Sequence, residues 1–225
     1  VANSPFYRLA GTVGTLERAV QVLGLDAIRG ICAACCMDRV PVTRVVGLLD
    51  PQQFRQHSLA TAVAALHLAR QLAPARQAEA FIAGLLHDIG LVLLARLRPQ
   101  ALANLAREAA ACSPEAALQR EHDTLGLNHA ECAALLASAW LLPPWLVDAV
   151  GGHHAGAPAS GSPTVARLVQ AADVLADQAG FGLAPSCAQA RIWPGLGINA
   201  SDEMLSTLAT DLPDHVQALL AATSA

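Results

Sequence analysis

Apolar residues recur at helical spacing along almost the whole chain, while two-residue alternation is scarce and β-branched residues are few. Ala, Leu, Arg, Gln and Glu dominate, and these residues favour helix. The pattern predicts helices over residues 15–23, 25–39, 51–73, 76–97, 99–111, 114–122, 128–141, 143–152, 163–179 and 201–223. Pro41, Pro51, Pro74, Pro99, Pro114, Pro143, Pro163 and Pro213 fall at expected starts or breaks. Asp50 ahead of Pro51, and Asn128 ahead of His129, are expected N-caps. Two stretches read as irregular: the Gly/Ala/Pro/Ser run from Gly151 to Pro163, and Gly180 to Asn199. The expected fold class is all-α.

The inward faces of these helices carry polar groups. The helix at 51–73 is apolar nearly all round, which places it centrally. Leu59, Val63 and Leu66 form one stripe; Phe54, Leu68 and Leu72 form the other, and His57 lies on it. The string Gly84-Leu-Leu-His-Asp-Ile-Gly90 sets His87 and Asp88 side by side inside the predicted helix 76–97. His129 heads a stripe of Cys132, Ala133, Leu136 and Trp140. His153 and His154 end a helix at the mouth of a loop, and Asp173 sits between Val169 and Ala176. Taken singly, a histidine on an apolar face is more often a core residue bonded to a carbonyl, and His67 and His215 are read so.

Composition sharpens this picture. The chain is 54% hydrophobic and 14% charged, so several imidazoles and carboxylates turned inward need partners. A bound metal pair would satisfy all of them together. At 225 residues the chain suits one large domain, or two small lobes sharing a core. The net charge of −4 leaves no basic stripe for nucleic acid and no basic amphipathic segment for a membrane surface. The apolar stretch from Phe81 to Leu97 reads as too short and too polar to span a bilayer. All 14 basic residues are Arg, which excludes Schiff-base and phosphate-loop lysine chemistry. Cys32, Cys35 and Cys36 share one helix face and read as small apolar residues rather than a redox or zinc motif. Cysteine usage and the lack of a secretory pattern point to a reducing, cytoplasmic setting. A first residue of Val marks the chain as an expected fragment of a longer one.

Seven separated motifs, in order, resemble the HD superfamily and most closely its HDOD branch of bacterial signalling domains. They are His57-Ser58, Gly84 to Gly90, Glu121 with Leu125-Gly126, Asn128-His129-Ala130-Glu131, Trp140-Leu-Leu-Pro143, His153-His154 and Asp173. Upstream, Asn3 to Tyr7 and Arg18 to Gly24 resemble that branch's N-terminal helical lobe, which normally begins earlier. The resemblance implies an HD-domain-like helical bundle with a partial N-terminal helical lobe. Residues 1–50 would be the remainder of that lobe. Residues 51–180 would form the HD-like core with the metal site, and 181–225 an irregular segment and a helix packing on the core.

By resemblance to the related HD-GYP phosphodiesterases, His57, His87, Asp88 and Asp173 would serve one divalent metal and His129, His153 and His154 a second, with Asp88 bridging. Iron, manganese and zinc all suit mixed His/carboxylate ligation. In those relatives two metals assist attack of water on a phosphodiester. The departures are Leu91, where the active relatives carry a phosphate-handling lysine, and the uncharged Ala155–Pro163 loop, where they carry GYP. Cys132 stands where the family usually has a glycine. No basic residue lies between Arg120 and Arg167, although phosphoryl transfer depends on positive groups. The expectation is therefore a cytoplasmic signalling output or scaffold domain with a retained metal site and no residue assigned a catalytic role. Its expected partners are signalling proteins or an attached sensor or receiver domain, with room for a homo-oligomer, and neither nucleic acid nor membrane. The competing expectation is a metal-dependent phosphohydrolase acting on a nucleotide or cyclic dinucleotide.

Overall fold

A computed structural model describes residues 14–37, 40–45, 49–109, 113–155, 163–183 and 200–223. Ten α-helices account for most of them: α1 Leu16–Met37, α2 Pro51–Leu72, α3 Gln77–Leu86, α4 Ile89–Leu97, α5 Pro99–Ala109, α6 Pro114–Leu125, α7 His129–Ala139, α8 Pro144–Gly152, α9 Val165–Ala176 and α10 Asp202–Thr223. Among the described residues the only extended pairing is an isolated bridge between Val45 and Leu49. The fold is all-α and HD-like. The Asn3–Tyr7 motif, the centre of the loop after His154 and most of the Gly180–Asn199 stretch lie outside the described residues.

Local chemistry starts the helices where the sequence implies. Asp50 Oδ1 accepts from the Gln52 and Gln53 amides, and Pro51 supplies a helix-ready φ. Asn128 and Glu131 form a reciprocal capping box at the head of α7. Gly24, at φ +80°, kinks α1 between the two segments read separately in the sequence. Pro213 lies inside α10 rather than at a break.

The larger departure concerns residues 76–97, read as one helix. A 3₁₀ turn at Pro74–Arg76 leads into α3, and α3 and α4 are separate helices joined by a turn at His87 and Asp88. The apolar pattern continues across the turn, so periodicity does not reveal it. The cause is local: the His87 ring turns back to bond the Gly84 carbonyl, and Asp88 leaves helical geometry at φ −96°, ψ 11°. Taken with the 3₁₀ turn, Pro74–Leu97 spans 24 residues and holds an 18-residue window of mean hydropathy 1.8, long and apolar enough by composition to cross a membrane. Length therefore does not exclude a span, contrary to the expectation from sequence; 67% of that window is instead buried within the fold, and the helix is broken at Asp88.

Helix α2 is central, packed by α3, α9 and α10. Its Ala60, Ala62, Ala64, Ala65 and Ala69 are fully buried and let its neighbours approach closely. Leu205, Leu212, Val216 and Leu219 of α10 join the same core. His67 and His215 stack at 4.7 Å between centroids and stand apart from the other inward histidines. Two glycines are demanded by close approach. A Cβ on Gly84 would lie 2.9 Å from the Ala62 Cα, and one on Gly90 would lie 2.0 Å from the His129 carbonyl oxygen. Both contacts are with backbone and cannot rotate away, and the second is the closer. Gly90→Ala is therefore expected to destabilise by the upper end of the about 1–3 kcal/mol typical of overpacking. Denaturant unfolding checks this, and wild-type stability for the variant would refute the close crossing of α4 and α7.

Candidate metal centre

Five elements bring the seven sequence-predicted residues to one place. His57 comes from the second turn of α2, His87 and Asp88 from the α3–α4 turn, and His129 from the first position of α7. His153 and His154 follow α8, and Asp173 lies in the last turns of α9. His57, His87, Asp88, His129 and His153 are buried, while His154 and Asp173 are partly open and give the cluster its solvent side.

Four rings are fixed through Nδ1. His57 Nδ1 donates to the Phe181 carbonyl at 3.0 Å, His87 Nδ1 to that of Gly84 at 2.8 Å, and His153 Nδ1 to that of Val150 at 2.6 Å. His129 Nδ1 donates to Glu121 Oε2 at 2.7 Å. Carbonyl and carboxylate oxygens accept here, so these nitrogens carry a proton, and a ring in its neutral form presents its Nε2 lone pair to the interior. Yet His57 Nε2 lies 3.2 Å from His87 Nε2, and His129 Nε2 lies 2.9 Å from His154 Nε2. A shared proton or a bound cation accounts for each of these short N···N contacts.

Asp88 lies between the two sets. Its Oδ2 is 3.4 Å from both His57 Nε2 and His87 Nε2. Its Oδ1 is 3.5 Å from His129 Nε2 and 3.7 Å from His153 Nε2. Asp173 Oδ1 adds to the first set, 3.3 Å from His57 Nε2 and 3.7 Å from His87 Nε2. Ligand atoms about 2.1 Å from one ion, at octahedral or tetrahedral angles, stand about 3.0–3.4 Å apart. The donor spacings, 2.9–3.7 Å, bracket that range. The donor atoms of His57, His87 and Asp88 lie within 4.8 Å of one another, as do those of His129, His153 and His154. The buried Nε2 of His153 has no hydrogen-bond partner. The residues present therefore fit a divalent cation in each set.

With protons alone, the cluster is electrostatically divided. Burial opposes charge on His57, but the hydrogen bonds of Asp173 and Asp88 outweigh it and hold the ring well above its usual pKa. Burial likewise opposes charge on His129, and the Glu121 carboxylate overcomes it, raising the ring to about 9. His153 is lowered by burial, and His154 falls well below its usual value through burial and the neighbouring His153 and His129 charges. Burial works against ionised Asp88 and Asp173, but the surrounding imidazoles hold both well below the carboxylate range.

Two further carboxylates, to which the sequence alone gives no role, reach the cluster. Glu121 of α6 accepts from both the backbone amide and Nδ1 of His129, at 2.9 and 2.7 Å. It belongs to the recognisable motif string, but its role needs the α6–α7 turn to bring it back eight residues. Asp177 opens a π turn, Asp177–Phe181, that continues α9. Its donor oxygen lies within 4.8 Å of those of His57 and Asp173. Burial and the Asp173 charge raise it to about 7. The available signal was the i, i+4 acidic pair Asp173 and Asp177, an arrangement that is repulsive without a cation. The same π turn supplies the Phe181 carbonyl that orients His57.

A carboxylate that orients a ligating ring typically contributes about 10–100-fold to metal affinity. Glu121→Gln is expected to weaken metal binding by that factor with no loss of helix content, read by competition with a chromophoric chelator. An unchanged affinity would remove Glu121 from the site.

The HDOD domain family matches residues 1–156. The chain belongs to the HDOD family. Solved structures bear out the fold. An HDOD domain protein with unknown function from Geobacter sulfurreducens is 23% identical, with a TM-score of 0.73 over 97% of this chain and 78% of its own. A protein named "Putative phosphohydrolase" from Shewanella amazonensis SB2B is 26% identical, TM-score 0.69, over 97% of this chain and 80% of its own. One named "Putative signal transduction protein" from Marinobacter aquaeolei VT8 is 25% identical, TM-score 0.69, over 99% of this chain. This HDOD chain spans 50% of that protein's length. No curated protein matches the chain. Asp173 and Asp177 lie beyond the segment that the family match covers.

Proposed function

We propose that this HDOD domain is a non-catalytic output or scaffold module of bacterial signal transduction, with divalent metal held in its core. His57, His87, Asp88 and Asp173 hold one cation, and His129, His153 and His154 a second, with Asp88 shared. Iron, manganese and zinc suit this donor set. The observation that carries the metal reading is the pairing of Nε2 atoms at 3.2 and 2.9 Å on rings whose Nδ1 protons are largely committed elsewhere. The proposed organisation is an N-terminal lobe through residue 50, a metal-bearing core over 51–180, and a C-terminal segment packed on that core. Signalling proteins, or a sensor or receiver domain on a longer chain, are the proposed partners, in a cytoplasmic setting.

The non-catalytic reading rests on the surroundings of the cluster. Leu91 is buried one turn after His87, where an active relative is expected to carry lysine. Arg120, ahead of His129, pairs with exposed Glu108 at 3.2 Å. Arg167, on α9, is buried and bonds Gln170. Neither is paired with a carboxylate of the cluster. A metal here supplies Lewis acidity and lowers the pKa of water, but phosphoryl transfer also requires cationic side chains placed against developing charge.

A second reading is a metal-dependent phosphohydrolase. It is favoured by the partly open Asp173 and His154, and by the 26% identity to the Shewanella protein so named. The deciding assay is turnover of a phosphodiester and phosphomonoester panel with added iron or manganese, repeated on His87→Ala. The scaffold reading expects no metal-dependent turnover. Turnover that His87→Ala abolishes would replace it with the enzyme.

A further inference from the structure

A cavity of about 320 Å³ lies between α1, α4 and α7, apart from the metal cluster. Its walls include Ile89 and Leu93 of α4, Leu136 of α7 with Trp140 at that helix's C-cap, and Cys36 near the end of α1, and Arg96 also lines it. Its volume is at the small end of the about 300–1,000 Å³ usual for ligand pockets. Among the described residues, no acidic side chain lines it. Arg96 is exposed and, among the described residues, makes no ion pair or side-chain hydrogen bond. Trp140 is 54% exposed, although it stands on a helix whose other end is core. An apolar recess with one uncommitted guanidinium and an aromatic wall is complementary to an apolar body carrying one negative charge.

We propose that this cavity binds a small amphiphilic carboxylate, its aliphatic body among Ile89, Leu93 and Leu136 and its carboxylate on Arg96. The guanidinium supplies selectivity for the anion, and the apolar walls supply most of the affinity. The two principal walls are also the helices that begin at the cluster, α4 immediately after Asp88 and α7 at His129. The proposal concerns the cavity alone and does not depend on metal.

The test is tryptophan fluorescence of the full chain titrated with decanoate, 1-decanol and decyltrimethylammonium below their aggregation concentrations. Trp140→Phe identifies the reporting residue. Decanoate is expected to saturate the signal and to bind at least tenfold more tightly than the decyl cation. Arg96→Gln, an exposed and conservative change, is expected to weaken decanoate at least tenfold and leave decanol unchanged. Equal binding of the three probes, or decanoate binding indifferent to Arg96→Gln, would overturn the proposal. Sedimentation without ligand addresses the other occupant: a dimer dispersed by Arg96→Gln would assign the cavity to a second copy of the chain and overturn it as well.

Discussion

Asp88→Ala is expected to lose metal from both groups of ligands at once. Each carboxylate oxygen faces a different pair of rings, Oδ2 toward His57 and His87, and Oδ1 toward His129 and His153. No other side chain at the centre divides itself this way. Losing a shared ligand should cost at least the about 10–100-fold in affinity that removing an outer hydrogen-bond partner costs. It also removes an anion whose hydrogen bond and charge help hold the His57 proton. Elemental analysis of protein purified without chelator reads the effect, with exposed Asp148→Ala as the control. Loss from one group alone would show that Asp88 is not shared, and equal metal in all three proteins would contradict the centre.

Chelation is expected to reverse the pH dependence of stability. In chelated protein the raised His57 and His129 contribute stability that is full below their unfolded value near 6.5 and lost as pH rises through the folded value, about 9 for His129. For His129 the span from 6.5 to about 9, at about 1.36 kcal/mol per pH unit, is worth about 3 kcal/mol. His153 and His154 are lowered, so their contribution is lost as pH falls below about 6.5 and is constant above it. Asp177, raised to about 7, costs stability as pH rises from 3.8 to about 7 and adds no slope beyond. Between pH 7 and 9 chelated protein should therefore lose stability. Metal displaces the ring protons, so loaded protein should hold level or gain over the same range. At metal concentrations 100-fold above Kd the gap widens by about 2.7 kcal/mol for each site. Urea unfolding at several pH values, with and without metal, checks the sign. Parallel curves would mean that metal and protons do not compete for the same nitrogens.

The inward orientation of His57, His129 and Asp173 was legible because each interrupts an apolar stripe, whereas their grouping with His87, Asp88, His153 and His154 at one site was implied by the family resemblance. His57 beside Phe54 and Leu68, and Asp173 between Val169 and Ala176, have nowhere to point but inward. The break at His87-Asp88 was not readable, because apolar residues flank it on both sides and its cause is a side-chain bond to Gly84. Trp140 shows the opposite error. Its spacing puts it on the His129 stripe, but it caps the end of α7, where the core runs out and the ring is exposed. Glu121 and the π turn act through tertiary contact with residues 8 and 124 positions away, His129 and His57. Neither periodicity nor local spacing reports such distances. Cys112 and Cys187, counted in the sequence, lie outside the described residues.

Anomalous diffraction from crystals of protein purified without chelators is the most direct measurement of the metal centre. Two peaks flanking the Asp88 carboxylate, each about 2.1 Å from its imidazole Nε2 atoms, are the predicted result. Crystals with no peak there after soaking in iron, manganese or zinc, and with His57–His87 and His129–His154 still in contact, would contradict it: protons alone would then hold the rings together.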